Sequence, residues 1–154
     1  GHGLSQKPDM FWVKDRARDE SWNVYHTSLG ATKYLVLNTT AGSATNSNRW
    51  NDTEPTSTVF TVNTAADSNQ SGQSIIAYCF SEVAGYSKIG SYTGNGNADG
   101  TFIFLGFRPA FVLIKCSSGT FNWMIYDSER EPFNLIDKYS VSLILTRPKS
   151  ASLS

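Results

Sequence analysis

The sequence has little charge, almost no cysteine and no long hydrophobic run, and each shortage excludes a class of protein. Its 13 basic and 13 acidic residues cancel, and they form no basic stripe, so duplex nucleic acid is a poor partner. No run approaches the roughly 18 apolar residues of a membrane span. Two cysteines, Cys79 and Cys116, allow one bridge at most, and we expect both thiols to be free.

The chain also lacks the motifs of common enzymes. No G-x-S-x-G nucleophile motif and no G-x-x-x-x-G-K phosphate loop occurs. The only histidines are His2 and His26, and nothing in the sequence brings them together. We therefore expect a protein that is not an enzyme and that holds no metal and no cofactor.

The most informative feature that is present is an internal repeat. Four residues recur 101 positions further along the chain: Pro8, Lys14, Trp22 and Tyr25 return as Pro109, Lys115, Trp123 and Tyr126. After a slip of four positions, Lys33, Tyr34 and Val36 return as Lys138, Tyr139 and Val141. A repeat of this kind indicates a duplicated structural unit. The sequence predicts related units at about residues 8–38 and 109–143.

Strand signals dominate the rest of the chain. Short segments rich in β-branched and aromatic residues predict strands at residues 10–14, 21–26, 33–38, 58–62, 74–80, 88–93, 101–105, 111–115, 121–127 and 139–145. No segment has helical periodicity over three turns, which leaves only a helical turn near residues 65–68 or 129–136. With 40% apolar and 17% charged residues, the composition favours an all-β protein.

The predicted fold is a single antiparallel β-sandwich over residues 1–154, jelly-roll or concanavalin-like, with an internal duplication. Residues 10–13 and 111–114 are apolar in both phases, so both faces of these strands should be covered. Alternation places Trp22 and Trp123 in the core and Tyr25 and Tyr126 on the opposite face. The first unit lacks the strand that precedes the second, which predicts a fragment of a longer repeat protein with open edges that favour self-association.

Several segments resemble a repeat found in large structural proteins of marine tailed phages. The resemblance covers about residues 1–138 and is carried by residues 8–14, 22–30, 76–80 and 90–96. Those proteins look like tail-fibre or adhesin components, often beside concanavalin-like jelly-roll modules. The resemblance implies a β-sandwich at the virion surface, in a particle assembled in the host cytoplasm. It supplies no catalytic residues.

Aromatic residues give the better functional lead, because the chain has 4 Trp, 7 Tyr and 9 Phe residues. Flat rings stack on sugars, and polar neighbours can bind the hydroxyls. We expect Arg49, Trp50 and Asp52, in a long polar loop, to form part of a glycan-binding patch, with Tyr25 and Tyr126 as further candidates. The alternative for Trp50 is a loop anchor that packs on the sheet.

Two other constellations have weaker signals. Asp127, Glu129 and Glu131 alternate as carboxylates do in jelly-roll glycosidases, which leaves a glycosidase as an alternative function. Residues 67–72 and 95–100 have the oxygen-ligand rhythm of a calcium loop, although the expected function of both is a flexible turn. A purely architectural oligomer is the remaining alternative to a glycan-binding adhesion module.

Overall fold

The structure, a computed structural model, describes residues 1–129 and 141–142. It is mostly β. The strands are β1 (Met10–Asp15), β2 (Asn23–His26), β3 (Lys33–Val36), β4 (Ala44–Thr45), β5 (Ile75–Phe80), β6 (Phe111–Ile114), β7 (Met124–Asp127) and β8 (Val141–Ser142). Two helical turns, α1 (Ser47–Trp50) and α2 (Ala66–Asn69), lie between β4 and β5. None of the helices in the described residues could cross a membrane.

Five strands form an antiparallel sheet in the order β4-β3-β2-β1-β5. Strand β1, which lies between β2 and β5, pairs with β2 through Phe11 opposite Tyr25 and with β5 through Phe11 opposite Cys79. Because side chains alternate along a strand, β1 directs Phe11 and Val13 to one face and Met10 and Trp12 to the other. The prediction that both faces of this strand are covered is confirmed by the packing on each side.

The first core cluster covers the Phe11 face. Its buried residues are Phe11, Val13, Tyr25, Ala31 and Trp50, against which Tyr34, Phe60, Val62, Ile75 and Cys79 pack. The Phe11 ring stacks on the Tyr25 ring at 4.6 Å and on the Phe60 ring at 4.5 Å. The segment between β4 and β5 supplies Trp50, Phe60 and Val62, so this face is covered by loop and helical turn rather than by a second sheet.

The second core cluster covers the opposite face. Val24, Leu35 and Trp123 are buried there, and Met10, Trp12, Leu29, Leu37 and Leu113 pack against them. Leu113 and Trp123 come from the β6–β7 region, so that region packs on the five-stranded sheet. Lys115 Nζ and the Phe121 N–H both donate to Thr40 O, each at 3.0 Å, and add polar links to the contact.

Strands β6, β7 and β8 form a second antiparallel sheet in that order. Phe111 lies opposite Asp127, as Met10 lies opposite His26, so the β6–β7 pair has the register of the β1–β2 pair displaced by 101 positions. In the third strand the match is offset by one. Val141 matches Val36 in the sequence repeat, and it lies opposite Ile125. In the first sheet, however, the residue opposite Val24 is Leu35, one position before Val36.

Three predicted strands are wrong. Residues 58–62, 88–93 and 101–105 belong to no strand of the structure. Phe60 and Val62 instead pack on the first core cluster as part of a loop. Phe102 and Phe104 are 86% and 77% exposed. Local composition indicates a preference for extended backbone, but a strand also needs a partner backbone, which these segments do not meet among the described residues.

The helical turn predicted near residues 65–68 is confirmed as α2, and α1 was not predicted. Asn46 caps α1, its side-chain oxygen accepting a 2.9 Å hydrogen bond from the Asn48 N–H. Asn51 ends it with a left-handed φ of 55°, a conformation that asparagine tolerates better than most residues. Most residues of the alternative turn at 129–136 and of the predicted strand at 139–145 lie outside the described part of the chain.

Candidate functional site

Trp50, the centre of the proposed glycan patch, is buried. Only 1% of it is exposed, and its indole Nε1–H donates a 3.1 Å hydrogen bond to Lys33 O. Its ring meets the Phe11 ring edge-on at 4.9 Å and the Tyr25 ring edge-on at 6.5 Å. The side chain therefore takes the position of the loop-anchor alternative, because it fixes the segment after β4 on the sheet and leaves no ring face for a sugar.

The other two residues of that patch point to different surroundings. The Arg49 guanidinium lies 4.4 Å above the Tyr34 ring and pairs with the Asp67 carboxylate. Both side chains are largely buried. Asp52 is exposed in the turn that follows α1. Arg49 is thus occupied by an internal cation–π contact and an ion pair, and Asp52 alone of the three faces solvent fully.

Tyr25 is also buried, and its hydroxyl reveals a contact that the sequence did not predict. The hydroxyl donates a 2.6 Å hydrogen bond to Glu54 Oε2, and the Ala31 N–H donates to Glu54 Oε1 at 2.6 Å. Lys7 Nζ donates to Oε2 at 2.7 Å. The Glu54 carboxylate therefore links three separate segments. A carboxylate directly before a proline, Pro55, in a loop poor in charge is the only sequence signal for it.

The Glu54 contacts shift two pKa values. Burial alone would raise the pKa of the Glu54 carboxyl, but the hydrogen bonds from Lys7, Tyr25 and Ala31 outweigh burial and lower it. Burial, and then the bond to Glu54, raise the pKa of the Tyr25 hydroxyl. Both shifts favour a charged carboxylate that accepts from a neutral phenol, so the arrangement is a structural clamp at neutral pH.

Tyr126, the fifth candidate, is half-buried on β7 opposite Val112. It belongs to the second sheet, whereas Tyr25 and Trp50 belong to the first core cluster. The structure brings Tyr25 and Trp50 together as packing partners and does not gather the five candidates into one surface. Glycan binding itself stays a prediction, and any site for it has to be found elsewhere on the molecule.

Two of the three carboxylates of the glycosidase alternative belong to the described residues. Asp127 ends β7, half-buried, and Glu129 is exposed in the following turn. Glu129 lines a cleft of about 340 Å³ with Arg108 and Pro109. Glu131 lies outside the described residues. Among the described residues that line it there is no aromatic ring, and such rings are what a sugar-binding cleft would be expected to contain.

The calcium loops and the cysteines have ordinary surroundings. Asp67, the first oxygen ligand of the loop predicted at 67–72, lies in α2 and pairs with Arg49. Among residues 1–129 and 141–142, no group of His, Cys, Asp and Glu is arranged to hold a metal ion. Cys79 and Cys116 are free thiols, as predicted. Burial raises the pKa of the Cys79 thiol, so its reactivity is low at neutral pH.

A cleft of about 750 Å³ is the larger candidate site. It lies between the N-terminal segment, the turn after β5 and the segment before β6. Its polar groups are held in place. Asp9 Oδ2 accepts from the Glu82 N–H at 2.8 Å, Gln6 Nε2 donates to Glu82 O, and Lys88 pairs with the Glu82 carboxylate at 2.7 Å. That bond to Lys88 lowers the pKa of Glu82.

Aromatic rings flank this cleft. Phe104 and Phe107 line it, and Phe104 is 77% exposed. Tyr86, 80% exposed, lies in the turn after β5 but does not itself line the cleft. Exposed rings beside fixed amide and carboxylate groups are the combination that sugar recognition uses. This cleft was not predicted from the sequence, because residues 88–93 and 101–105 have the composition of strands.

These features define a β-rich module that joins two antiparallel sheets through a shared apolar cluster. The profile of a family described as a domain of unknown function, DUF7483, matches residues 1–151, and the chain belongs to that family. Neither a curated protein nor a solved structure matches the chain significantly.

Proposed function

We propose that the chain is a non-enzymatic structural and adhesion module of a phage-like virion surface, and that it binds a cell-surface glycan in the cleft beside Phe104. The observation that carries the glycan part is the combination of the exposed Phe104 ring and the neighbouring Phe107 ring with the fixed polar groups of Gln6, Asp9 and Glu82. The virion setting rests on the resemblance described above.

We further propose that the fold is a β-sandwich with an internal duplication. Two observations support it. The β6–β7 register repeats the β1–β2 register at a displacement of 101 positions. Trp123 and Leu113 pack on the face of the first sheet that carries Val24 and Leu35. A structural module of this kind needs no reacting groups, which agrees with a role in assembly or adhesion.

The glycan proposal is tested with a glycan array, followed by titration calorimetry with the sugars that bind. Phe104→Ala removes an exposed ring of the cleft and should weaken binding about fivefold or more, because a stacked ring contributes on the order of 1 kcal/mol or more. Phe102→Ala is the matched control, since Phe102 is also highly exposed but does not line the cleft. An array without any bound glycan, or equal losses in both variants, would contradict the proposal.

A further inference from the structure

Strand β5 lies at one end of the five-stranded sheet, and its outer edge is open in the described part of the chain. Ala77 and Tyr78, in the middle of the strand, are exposed. All six residues of β5 are uncharged and none is proline. Natural edge strands usually carry a lysine, a proline or a bulge that prevents pairing with another chain. β5 has no lysine and no proline, so its edge is available for another strand.

The ladder shows which backbone groups face outward. The Arg16 N–H donates a 2.9 Å hydrogen bond to Ser74 O, immediately beyond the β1–β5 pairing. Bonding direction alternates along an antiparallel pair, so Ile76, Tyr78 and Phe80 bond towards β1. Ile75, Ala77 and Cys79 therefore direct their N–H and C=O groups to the open edge, and among the described residues no hydrogen bond occupies these groups.

We infer that the partner of this edge is β5 of a second copy, paired antiparallel about a two-fold axis through Ala77. This inference rests on the structural role proposed above and specifies the surface that serves it. In that register Ala77 lies opposite Ala77 of the second copy, and Ile75 lies opposite Cys79. Each pair is of the type that exchanges two hydrogen bonds, so all outward groups of Ile75, Ala77 and Cys79 are satisfied.

Side chains agree with the same register. Tyr78 of one copy lies opposite Ile76 of the other on the Trp12 face, which is an aromatic and β-branched cross-strand pair. Alanine at the axis leaves room for the two chains to approach. In a register centred on Tyr78, Ala77 of each copy would lie opposite Cys79 of the other. Ile75 would then lie opposite residue 81, which follows the end of β5. The chain has no net charge, so two copies do not repel each other at long range.

The inference is tested by disulfide trapping in a Cys79→Ala, Cys116→Ala background. Ala77→Cys places two sulfur-bearing residues directly opposite each other, with Cα atoms about 5.5 Å apart, inside the range of a disulfide. We expect a covalent dimer on non-reducing gels after mild oxidation. Ala44→Cys is the matched control, because Ala44 is also an exposed alanine in an edge strand, at the other end of the same sheet.

Light scattering on the unmodified chain gives the second measurement. We expect a dimer, and Ala77→Lys should weaken it at least about tenfold whereas Ala44→Lys leaves it unchanged, because only the first places two ammonium groups directly opposite each other at the axis. Ala77→Cys that stays monomeric, or that crosslinks no better than Ala44→Cys, overturns the inference. Glycan binding by the Ala77→Lys variant is scored separately, so failure of the dimer and failure of the glycan proposal are distinguishable.

Discussion

Trp123 Nε1–H donates a 3.0 Å hydrogen bond to Val36 O, across 87 positions of sequence. The indole thereby fixes the β6–β7 region on the five-stranded sheet, and its ring completes the second core cluster with Val24 and Leu35. Trp22, which lies 101 positions earlier in the sequence, is only half-buried and stacks on Tyr78 at 6.1 Å. The two tryptophans match in sequence and differ in burial, so the prediction of a core position is right for Trp123 alone.

We expect Trp123→Ala to lower the free energy of unfolding by about 3–5 kcal/mol, the range for deleting a buried aromatic side chain. Trp22→Ala should cost about 1–2 kcal/mol, since that ring already contacts solvent. Trp123→Phe, which keeps most of the packing but loses the hydrogen bond to Val36, should fall between them. Urea denaturation of the three variants measures the order. Equal losses for Trp22→Ala and Trp123→Ala would contradict this account of the interface.

Glu54 predicts a pH dependence of stability. Its folded-state pKa lies below the ordinary value of 4.5, so the clamp contributes stability above pH 4.5 and loses it as the pH falls through the folded pKa. Since the side chain is 48% exposed, the contribution at neutral pH is less than about 1 kcal/mol.

The test compares melting temperatures from pH 7 to pH 3 for the unmodified chain and for Glu54→Gln. The variant should be less stable at pH 7, and the two melting temperatures should converge at low pH, because protonation removes the charge that the substitution has already removed. Glu129→Gln, at an exposed carboxylate, is the control. A difference between the chain and Glu54→Gln that stays constant with pH would exclude the ionised clamp.

Gly42 is expected to be intolerant of any side chain. A Cβ at this position would lie 2.9 Å from Ser117 O and 3.1 Å from Gly119 N, both of them backbone atoms. Gly42→Ala should therefore force apart two segments that are joined by the Ser43 N–H bond to Ser117 O at 2.7 Å. We expect a loss of about 1–3 kcal/mol.

Gly90→Ala is the control for that substitution, because a Cβ at Gly90 meets nothing within 4 Å. Its effect on the free energy of unfolding should be near zero or slightly stabilising, since alanine restricts the unfolded chain. Chemical denaturation of both variants gives the comparison. Equal stability of Gly42→Ala and Gly90→Ala would show that the two segments are not in close contact.

The sequence was a good guide where the residues of a strand are themselves diagnostic. Strand β1 is apolar in both phases and both of its faces are covered, whereas in β6, for which the same was predicted, Phe111 is 57% exposed. The displacement of 101 positions at which residues recur in the sequence is also the displacement between the β1–β2 and β6–β7 registers. These features could be read from the chain because they depend on the residues of the strands and on their alternation.

The sequence was a poor guide where the outcome depends on neighbours from distant segments. Residues 101–105 have strong β propensity and no partner among the described residues, whereas Trp50 stands in a polar loop and is buried. Contacts with distant segments, such as the hydrogen bond from Trp50 to Lys33 O, decide whether such a residue is buried. Local composition does not reveal these contacts. For the same reason the sequence predicted an exposed glycan patch at Trp50, whose ring is buried.

The distance along the chain between Trp123 and Val36 bears on the order of folding. Strands β1 to β5 lie within residues 10–80, so this sheet and its loop-covered core can assemble while the ribosome is still making the rest of the chain. The other face of the sheet stays without its cover until residue 123 has emerged. A long-range contact of this kind slows folding, and the exposed Val24–Leu35 face is the surface at which a nascent chain would be expected to engage a chaperone.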